Sequence, residues 1–532
     1  MDMPKLLPKT ISSFKGIREN NYIYVDKTKE IYNLIKPKQK YFLSRPRRFG
    51  KTLLINTLKE LFEGNKKLFE GLYIYDKWDW DKTYHVLKID MSGRDVRTPE
   101  EFKISLNGFI DVLSDENSIE LKFTSLKDKF EELIKKIAIQ TGKELVILID
   151  EYDFPIIDNM SNIEVAKENR TTLSDFYQAL KTSEEYIHFT FITGVSKFVK
   201  TTIFSKLNNL DDITIDSRYS TICGYSKKDL EENFSYYIES LSEKQGDSWD
   251  ETIAKIKSCY DGYSWDGKHF LYNPTSIIST LNKQKYSNYW FDTGTPTFLM
   301  DLVKENKMDI KSLTDSNLYF NGEFPTWDLD DIDFTTALLQ TGYLTIKENT
   351  KSIIGEEQYN LGIPNKEVKS SLFNYLIAAY TNNTPETMNR IRNNFLSYLI
   401  AYDENNLSKT LDMFIGKIPY HSQMDNWKNY QGIFNGFFLG MGLNVQSEEA
   451  NSQGRIDYIL KFKDLCIIVE LKYSQQKSFK TMFKEAWSQI TKKRYYQKYQ
   501  DKNLILIAIA IKDGKAKEVQ CQIKSLDDLK EQ

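Results

Sequence analysis

Cysteine and histidine are scarce, with four of each in 532 residues. Cys223, Cys259, Cys466 and Cys521 contain no CxxC pair, and His85, His188, His269 and His421 are equally scattered. This argues against a zinc ribbon, a disulfide framework or a Cys/His nucleophile, and points to a reducing compartment. Glycine (24) and proline (12) are too few for a collagenous or low-complexity chain. Charge of one sign is also lacking: 72 Lys plus Arg against 75 Asp plus Glu leave a net charge of -3. That excludes a uniformly basic coat protein or a polycationic membrane binder, so any polyanion must meet a local basic patch. The longest apolar runs, LVILI (145–149) and LILIAIAI (504–511), are far short of the ~20 residues of a membrane span. The N-terminal MDMPKLLPKTISSFKG has no apolar signal region. A cytoplasmic, soluble protein without membrane contact is therefore expected.

What is present is a globular composition, 40% hydrophobic and 14% aromatic. At ~150 residues per domain this length predicts three or four domains. YFLS (41–44), HVLKIDMS (85–92), ELVILID (144–150) and HFTFITG (188–194) read as strands alternating with helical patterns, which predicts a parallel α/β sheet. LVILI is apolar at every position, as a strand covered on both faces requires. From about Cys223 to Ile415 the pattern turns mostly helical, rich in Tyr, Asn and Lys, with aromatic turns such as YDGYSWDG (260–267). Alternation returns from Asn426: a helical pattern through Ile433, Phe437, Phe438 and Met441, then RIDYILKF, CIIVELKY, a helix around Ala486 to Tyr499, and LILIAIAI. The predicted divisions are 1–225 for the first α/β domain, 226–415 for a helical lid and linker, and 416–532 for a second α/β module.

In FLSRPRRFGKTLL, Gly50, Lys51 and Thr52 sit between a strand and a helix. Such a triplet suits a phosphate site. The glycine permits close backbone approach, the lysine brings a point charge, the threonine hydroxyl can meet Mg²⁺, and the helix start adds its dipole. The G-x-x-x-x-G-K-[ST] pattern would place glycine where Arg45 stands. LVILIDEYD ends its strand with Asp150 and Glu151, an order in which one carboxylate coordinates Mg²⁺ and the next polarises a water. A solvated acidic turn is the plainer account of such a pair alone. FTFITGVSK adds Thr193 and Ser196 where a γ-phosphate sensor would sit; ordinary turn residues would look the same.

YIYVDKT (22–28), SRPRRFGKT (44–52), LIDEYD and TGVSKFVKTTIFSKLNNLDDIT (193–214) together resemble the AAA-ATPase-like family of bacterial proteins, whose loop is of the RPRRFGKT type. The resemblance implies an ATP-binding P-loop NTPase-like parallel sheet, with Lys51 and Thr52 at the nucleotide and Asp150 and Glu151 as the Walker B acids. It implies phosphate or partner contacts for Arg45, Arg47 and Arg48, for which a solvated basic turn is the plain alternative. Arg170 and Arg218 are available as arginine fingers, with nothing to choose between them.

Towards the C-terminus, GRIDYILKF (454–462) and CIIVELKY (466–473) read as a hairpin. Glu470 and Lys472 then project to one side, and Asp457 lies beside Glu470. Two carboxylates and an ammonium can hold Mg²⁺ and position a water for phosphodiester hydrolysis. An exposed Glu/Lys pair on an edge hairpin is the plain alternative. Against it, these charges interrupt a run otherwise suited to burial. GRID and VELKY resemble the PD-(D/E)XK nuclease superfamily, a restriction-endonuclease-like fold, and the likeness extends to AWSQITKKRYYQKYQ with Gln489 and Tyr495. It implies Asp457 and Glu470 as metal ligands and Lys472 as the catalytic lysine. Relatives often carry a glutamate in the helix before the first strand. Here no carboxylate stands between Trp427 and Ser447, and Glu448 or Glu449 is the available substitute. Lys492, Lys493 and Arg494 offer a DNA backbone a basic face, or form a solvated helix end.

The expectation is an ATP-binding ATPase fused to a Mg²⁺-dependent nuclease acting on DNA, with homo-oligomerisation open. The rival is a nucleotide-dependent switch or DNA-binding scaffold in which one or both modules have lost catalysis.

Overall fold

The computed structural model describes residues 4–198, 210–290, 313, 318–352, 355–381, 383–416, 427–451, 454–462, 464–499, 502–513 and 517–530. The chain divides into two compact units, Met1–Phe298 with Ser316–Glu367, and Leu299–Asp315 with Val368–Gln532.

The first unit is built on five strands: β1 (Gln39–Ser44), β2 (His85–Asp90), β3 (Leu145–Asp150), β4 (Ile187–Gly194) and β5 (Leu210–Asp212). All pair in parallel in the order β2-β3-β4-β1-β5. Every residue of β3 is buried, as its unbroken apolar run requires. β4 lies between β1 and β3, so the GKT loop after β1 and the acidic turn after β3 leave the same sheet edge on either side of it. The helix Lys51–Phe62 starts directly at the loop, capped by Gly50 at φ +94°, a conformation that side chains disfavour. It packs on β3, as does Leu126–Thr141, whose N-cap is Ser125.

Helices Lys227–Gln245, Trp249–Tyr260 and Pro274–Lys283 follow within the same unit. Two of them begin in capping boxes, Ser226 with Asp229 and Ser248 with Glu251. Leu230, Phe234, Ile256 and Ile277 from these helices bury Leu7, Ile23 and Val25 of the N-terminal segment. The helical middle also contains a small antiparallel sheet of β6 (Tyr319–Asn321), β7 (Thr345–Lys351) and β8 (Glu357–Gly362), in the order β6-β8-β7. Its short, polar strands, such as TIKENTK, carry little alternation for a sequence reading to find.

The second unit holds β9 (Asn444–Asn451), β10 (Gly454–Phe462), β11 (Leu465–Ser474), β12 (Asn503–Asp513) and β13 (Lys517–Ser525), ordered β13-β12-β11-β10-β9. β9, β10 and β11 form an antiparallel meander, while β11 and β12 run parallel and are joined through the helix Phe479–Lys493. That helix begins earlier than its aromatic tail suggests, because Ser478 caps it, and ends at Arg494 in the left-handed conformation. Its Met482, Phe483, Ala486, Trp487 and Ile490 pack on Ile459, Ile468, Leu506 and Ala508 of the sheet. The helix Trp427–Gly440 packs on β9 and β10, with Phe438 edge-on to Tyr458.

Candidate functional sites

At the loop, Lys51 is almost fully buried. Its ammonium donates to the Arg45 carbonyl at 3.0 Å and the Pro46 carbonyl at 3.1 Å. Burial pushes its pKa down, and the negative charges of Asp150, Glu151 and Asp153 oppose that shift. The Asp150 carboxyl is shifted up by burial, opposed by a hydrogen bond from the Thr52 hydroxyl and then by Lys51. Glu151 is also shifted up by burial, and its backbone sits at φ +49°, an uncommon conformation for a glutamate. A cavity of about 440 Å³ opens here, lined by Gly50, Lys51, Thr52 and Glu151 and by Ile11 and Val25 among others. It is large enough for a cofactor-sized ligand, and its wall mixes apolar side chains with polar ones such as Lys9, Ser12 and Lys27.

Asp153 was not singled out in the sequence reading, yet it holds the acidic turn in place. Its buried carboxylate accepts from the Val195 N–H at 3.0 Å, the Ser196 N–H at 2.6 Å and the Ser196 hydroxyl. The turn after β3 is thereby tied to the end of β4, and the Ser196 hydroxyl is spent on this carboxylate. The Thr193 hydroxyl donates to the Leu43 carbonyl at 2.9 Å, joining β4 to β1.

Arg45 departs from the expected phosphate or partner contact. Its side chain is fully buried, donates to the carbonyls of Ser44 and Thr214 at 2.8 Å each, and lies 4.1 Å over the Trp265 ring. The position that glycine occupies in the common pattern is thus filled by a side chain turned away from the loop. Arg47 and Arg48 line the cavity, Arg48 at φ +68°. Arg218 is held by Asp216.

In the second unit, Tyr458 pairs with Val469 and Ile459 with Ile468, which brings Asp457 level with Glu470. The Leu471 N–H donates to Asp457 Oδ2 at 2.8 Å. Glu470 is fully buried, with Oε1 accepting from Lys472 Nζ at 2.7 Å and Oε2 without a hydrogen-bond partner. Lys472 Nζ also donates to Gln489 Oε1 at 2.9 Å, so the helix fixes the lysine on the carboxylate face of the sheet. Burial, reinforced by the Asp457 charge and opposed by Lys472, pushes the Glu470 carboxyl up to about 7. A buried carboxylate oxygen with no proton donor suits a divalent cation. Between the pairs Ile456–Glu449 and Tyr458–Ser447, the register sets Glu448 opposite Asp457. The side chains of Glu448, Glu449 and Tyr495 lie outside the described residues. Among the described residues no group of three or more His, Cys, Asp or Glu is placed to hold a metal. Lys492 and Arg494 are exposed at the end of the helix Phe479–Lys493.

A predicted AAA-ATPase family matches residues 8–204, and the PD-(D/E)XK nuclease superfamily matches residues 425–521. The "Uncharacterized protein in vnfD 5'region" of Azotobacter chroococcum mcd 1 is 35% identical over 501 residues, covering 93% of this chain and 94% of that protein. The chain belongs to the AAA-ATPase-like family and carries a PD-(D/E)XK nuclease superfamily domain. The solved ORC2 protein of Aeropyrum pernix, in ADPNP and ADP complexes, aligns with 70% of this chain and 97% of its own at 11% identity and a TM-score of 0.18.

The AAA-ATPase-like region thus contains the loop, the acidic turn and the tie at Asp153; the PD-(D/E)XK region contains Asp457, Glu470, Lys472 and Gln489. Asp153 was legible only as the last residue of DEYD. Nothing local announced that β4 would deliver two amides and a hydroxyl to it.

Proposed function

We propose that the protein binds and hydrolyses ATP through its AAA-ATPase-like unit and cleaves DNA phosphodiesters, with Mg²⁺, through its PD-(D/E)XK domain. The ATPase half is supported by Lys51, Thr52, Asp150 and Glu151 gathering at one loop and one acidic turn on either side of β4. Lys51, released from the Arg45 and Pro46 carbonyls, is the cation for the terminal phosphates; Gly50 allows their approach, and Arg48 is a further phosphate contact. Thr52 and Asp150 would hold Mg²⁺, which supplies charge neutralisation at the phosphates when bound. Glu151 orients and polarises the attacking water. Ser196 acts from the end of β4 through Asp153.

The nuclease half rests on one observation above the others: Glu470 is wholly buried, level with Asp457, and keeps one oxygen unsatisfied. Asp457 and Glu470 would hold Mg²⁺, and Lys472, fixed by Gln489, positions the attacking water and offsets charge on the phosphate. Lys492, Lys493 and Arg494 would meet the DNA backbone. A cytoplasmic location belongs to the same reading. It is supported by the four free cysteines and by the finding that, among the described residues, no helix is long and apolar enough to cross a membrane.

The test is cleavage of plasmid and linear DNA with Mg²⁺, with and without ATP, alongside ATP hydrolysis. The parent is expected to cut and Asp457→Ala to be inert; Lys51→Ala is expected to lose ATP hydrolysis. Equal cutting by parent and Asp457→Ala, or unaltered hydrolysis by Lys51→Ala, defeats the corresponding half. A protein that binds ATP and DNA but turns over neither is the switch or scaffold instead.

A further inference from the structure

The carbonyls of the GKT loop are all spoken for. Those of Arg45 and Pro46 accept from Lys51. The next three are taken by donors from the region that follows the parallel sheet: Trp290 Nε1–H to the Arg47 carbonyl at 3.0 Å, the Thr275 hydroxyl to that of Arg48 at 3.5 Å, and the Gly224 N–H to that of Phe49 at 3.2 Å. In a trans peptide the N–H points opposite to the C=O. Fixing the carbonyls of Arg47, Arg48 and Phe49 therefore also fixes the N–H groups of Arg48, Phe49 and Gly50. The left-handed backbone at Arg48 and Gly50 gives the alternation by which successive N–H groups form an anion-binding concavity.

The donors are themselves held. The Trp290 ring is buried edge-on against Tyr263 and Tyr343. Its backbone N–H donates at 2.7 Å to buried Glu367, which also accepts from the Ser276 hydroxyl. On the loop side the fully buried Phe49 ring meets Tyr263 at 4.7 Å and Trp265 at 5.2 Å, both edge-on. The aromatic turn YDGYSWDG, which the sequence left without a role, is thus the wall against which the loop is seated.

We propose that Trp290, assisted by Thr275, is a positioning residue for polyphosphate: by holding the outward carbonyls it aims the loop amides at the phosphates of ATP. This rests on the ATP-binding reading above. It goes beyond that reading in assigning part of the phosphate site to residues 243 and 227 positions away in sequence.

The test is calorimetric titration of the full chain with ATP and, separately, with adenosine, which lacks the phosphates. Trp290→Phe keeps a ring and removes the donor. It is expected to weaken ATP by up to about tenfold, because the loop must then be ordered on binding, and to leave adenosine unchanged. Thr275→Val is expected to weaken ATP by a smaller factor, with Thr275→Ser restoring it. Unaltered ATP affinity in Trp290→Phe overturns the proposal. So does an equal loss for ATP and adenosine, which would mark a collapsed cavity. If Trp290→Phe does not fold by circular dichroism, the threonine pair decides, and equal ATP affinity of Thr275→Val and Thr275→Ser overturns the proposal. Lys51→Ala runs beside them. A parent that binds no ATP sinks the underlying reading, whereas a parent that binds while Lys51→Ala does not leaves that reading standing whatever Trp290→Phe does.

Discussion

Glycine at 194 is demanded by its neighbours rather than by its backbone. A Cβ there would meet the Asp153 carboxylate and approach the Tyr152 ring to 2.6 Å and 2.7 Å. Gly194→Ala must push the acidic turn away from β4. A loss of about 1–3 kcal/mol is expected in chemical denaturation, with ATP hydrolysis reduced because Glu151 moves with the turn. Glu470 gives a second residue-scale expectation. Burial and the Asp457 charge push its folded carboxyl up to about 7, against an unfolded value of about 4.3. Between those values the folded state binds more protons, so without metal, stability falls as pH rises through this window. The full effect is about 4 kcal/mol at most and is set by the burial and the Asp457 charge that raise the pKa. With a chelator present, the parent is expected to melt lower at pH 8 than at pH 5, and Glu470→Gln to lose most of that difference. A flat parent profile would contradict the burial of this charge. The pairing of Asp457 with Glu470 was legible in the sequence, because a hairpin of known turn position fixes which residues face each other. The burial of Arg45 was not, since a cation in RPRRF reads as solvated until the Thr214 carbonyl and the Trp265 ring are brought to it.

At the scale of elements, the helix Phe479–Lys493 does two things at once. One stripe, Met482, Phe483, Ala486 and Ile490, closes the core over β11 and β12, while Gln489 holds Lys472. Ile490→Ala is expected to cost about 2–4 kcal/mol, read from the urea midpoint, and to reduce cleavage further by loosening the lysine's second acceptor. The strand–helix–strand order here was readable because β11 and β12 are apolar runs separated by an amphipathic stretch. The helix's start was not readable, since it depends on one hydrogen bond from the Thr481 amide to Ser478. The small sheet of β6, β7 and β8 escaped for a different reason. YFN is too short, and TIKENTK too polar, to show a period of two.

Over the whole molecule, each unit has its own five-stranded sheet and its own buried charged side chains, Lys51 and Asp150 in one and Glu470 in the other, and neither set depends on net charge. Strand order was inferable only in part: alternation predicts parallel strands, but which strand sits between β1 and β3 is a long-range choice that no local pattern encodes. The proposed ATP and DNA sites differ in how far the lysine of one and the helix-end cations of the other lie from water. Lys51 is 5% exposed, whereas Lys492 and Arg494 stand in solvent. Mobile ions screen charges at the surface and hardly reach one inside the fold. Raising sodium chloride from low to high ionic strength is therefore expected to erode DNA affinity steeply, as counterion release demands, and ATP affinity less steeply, the exposed Arg48 being the cation there that salt screens. One titration series would read both slopes, and the same protein would carry two grips on phosphate of unequal salt sensitivity.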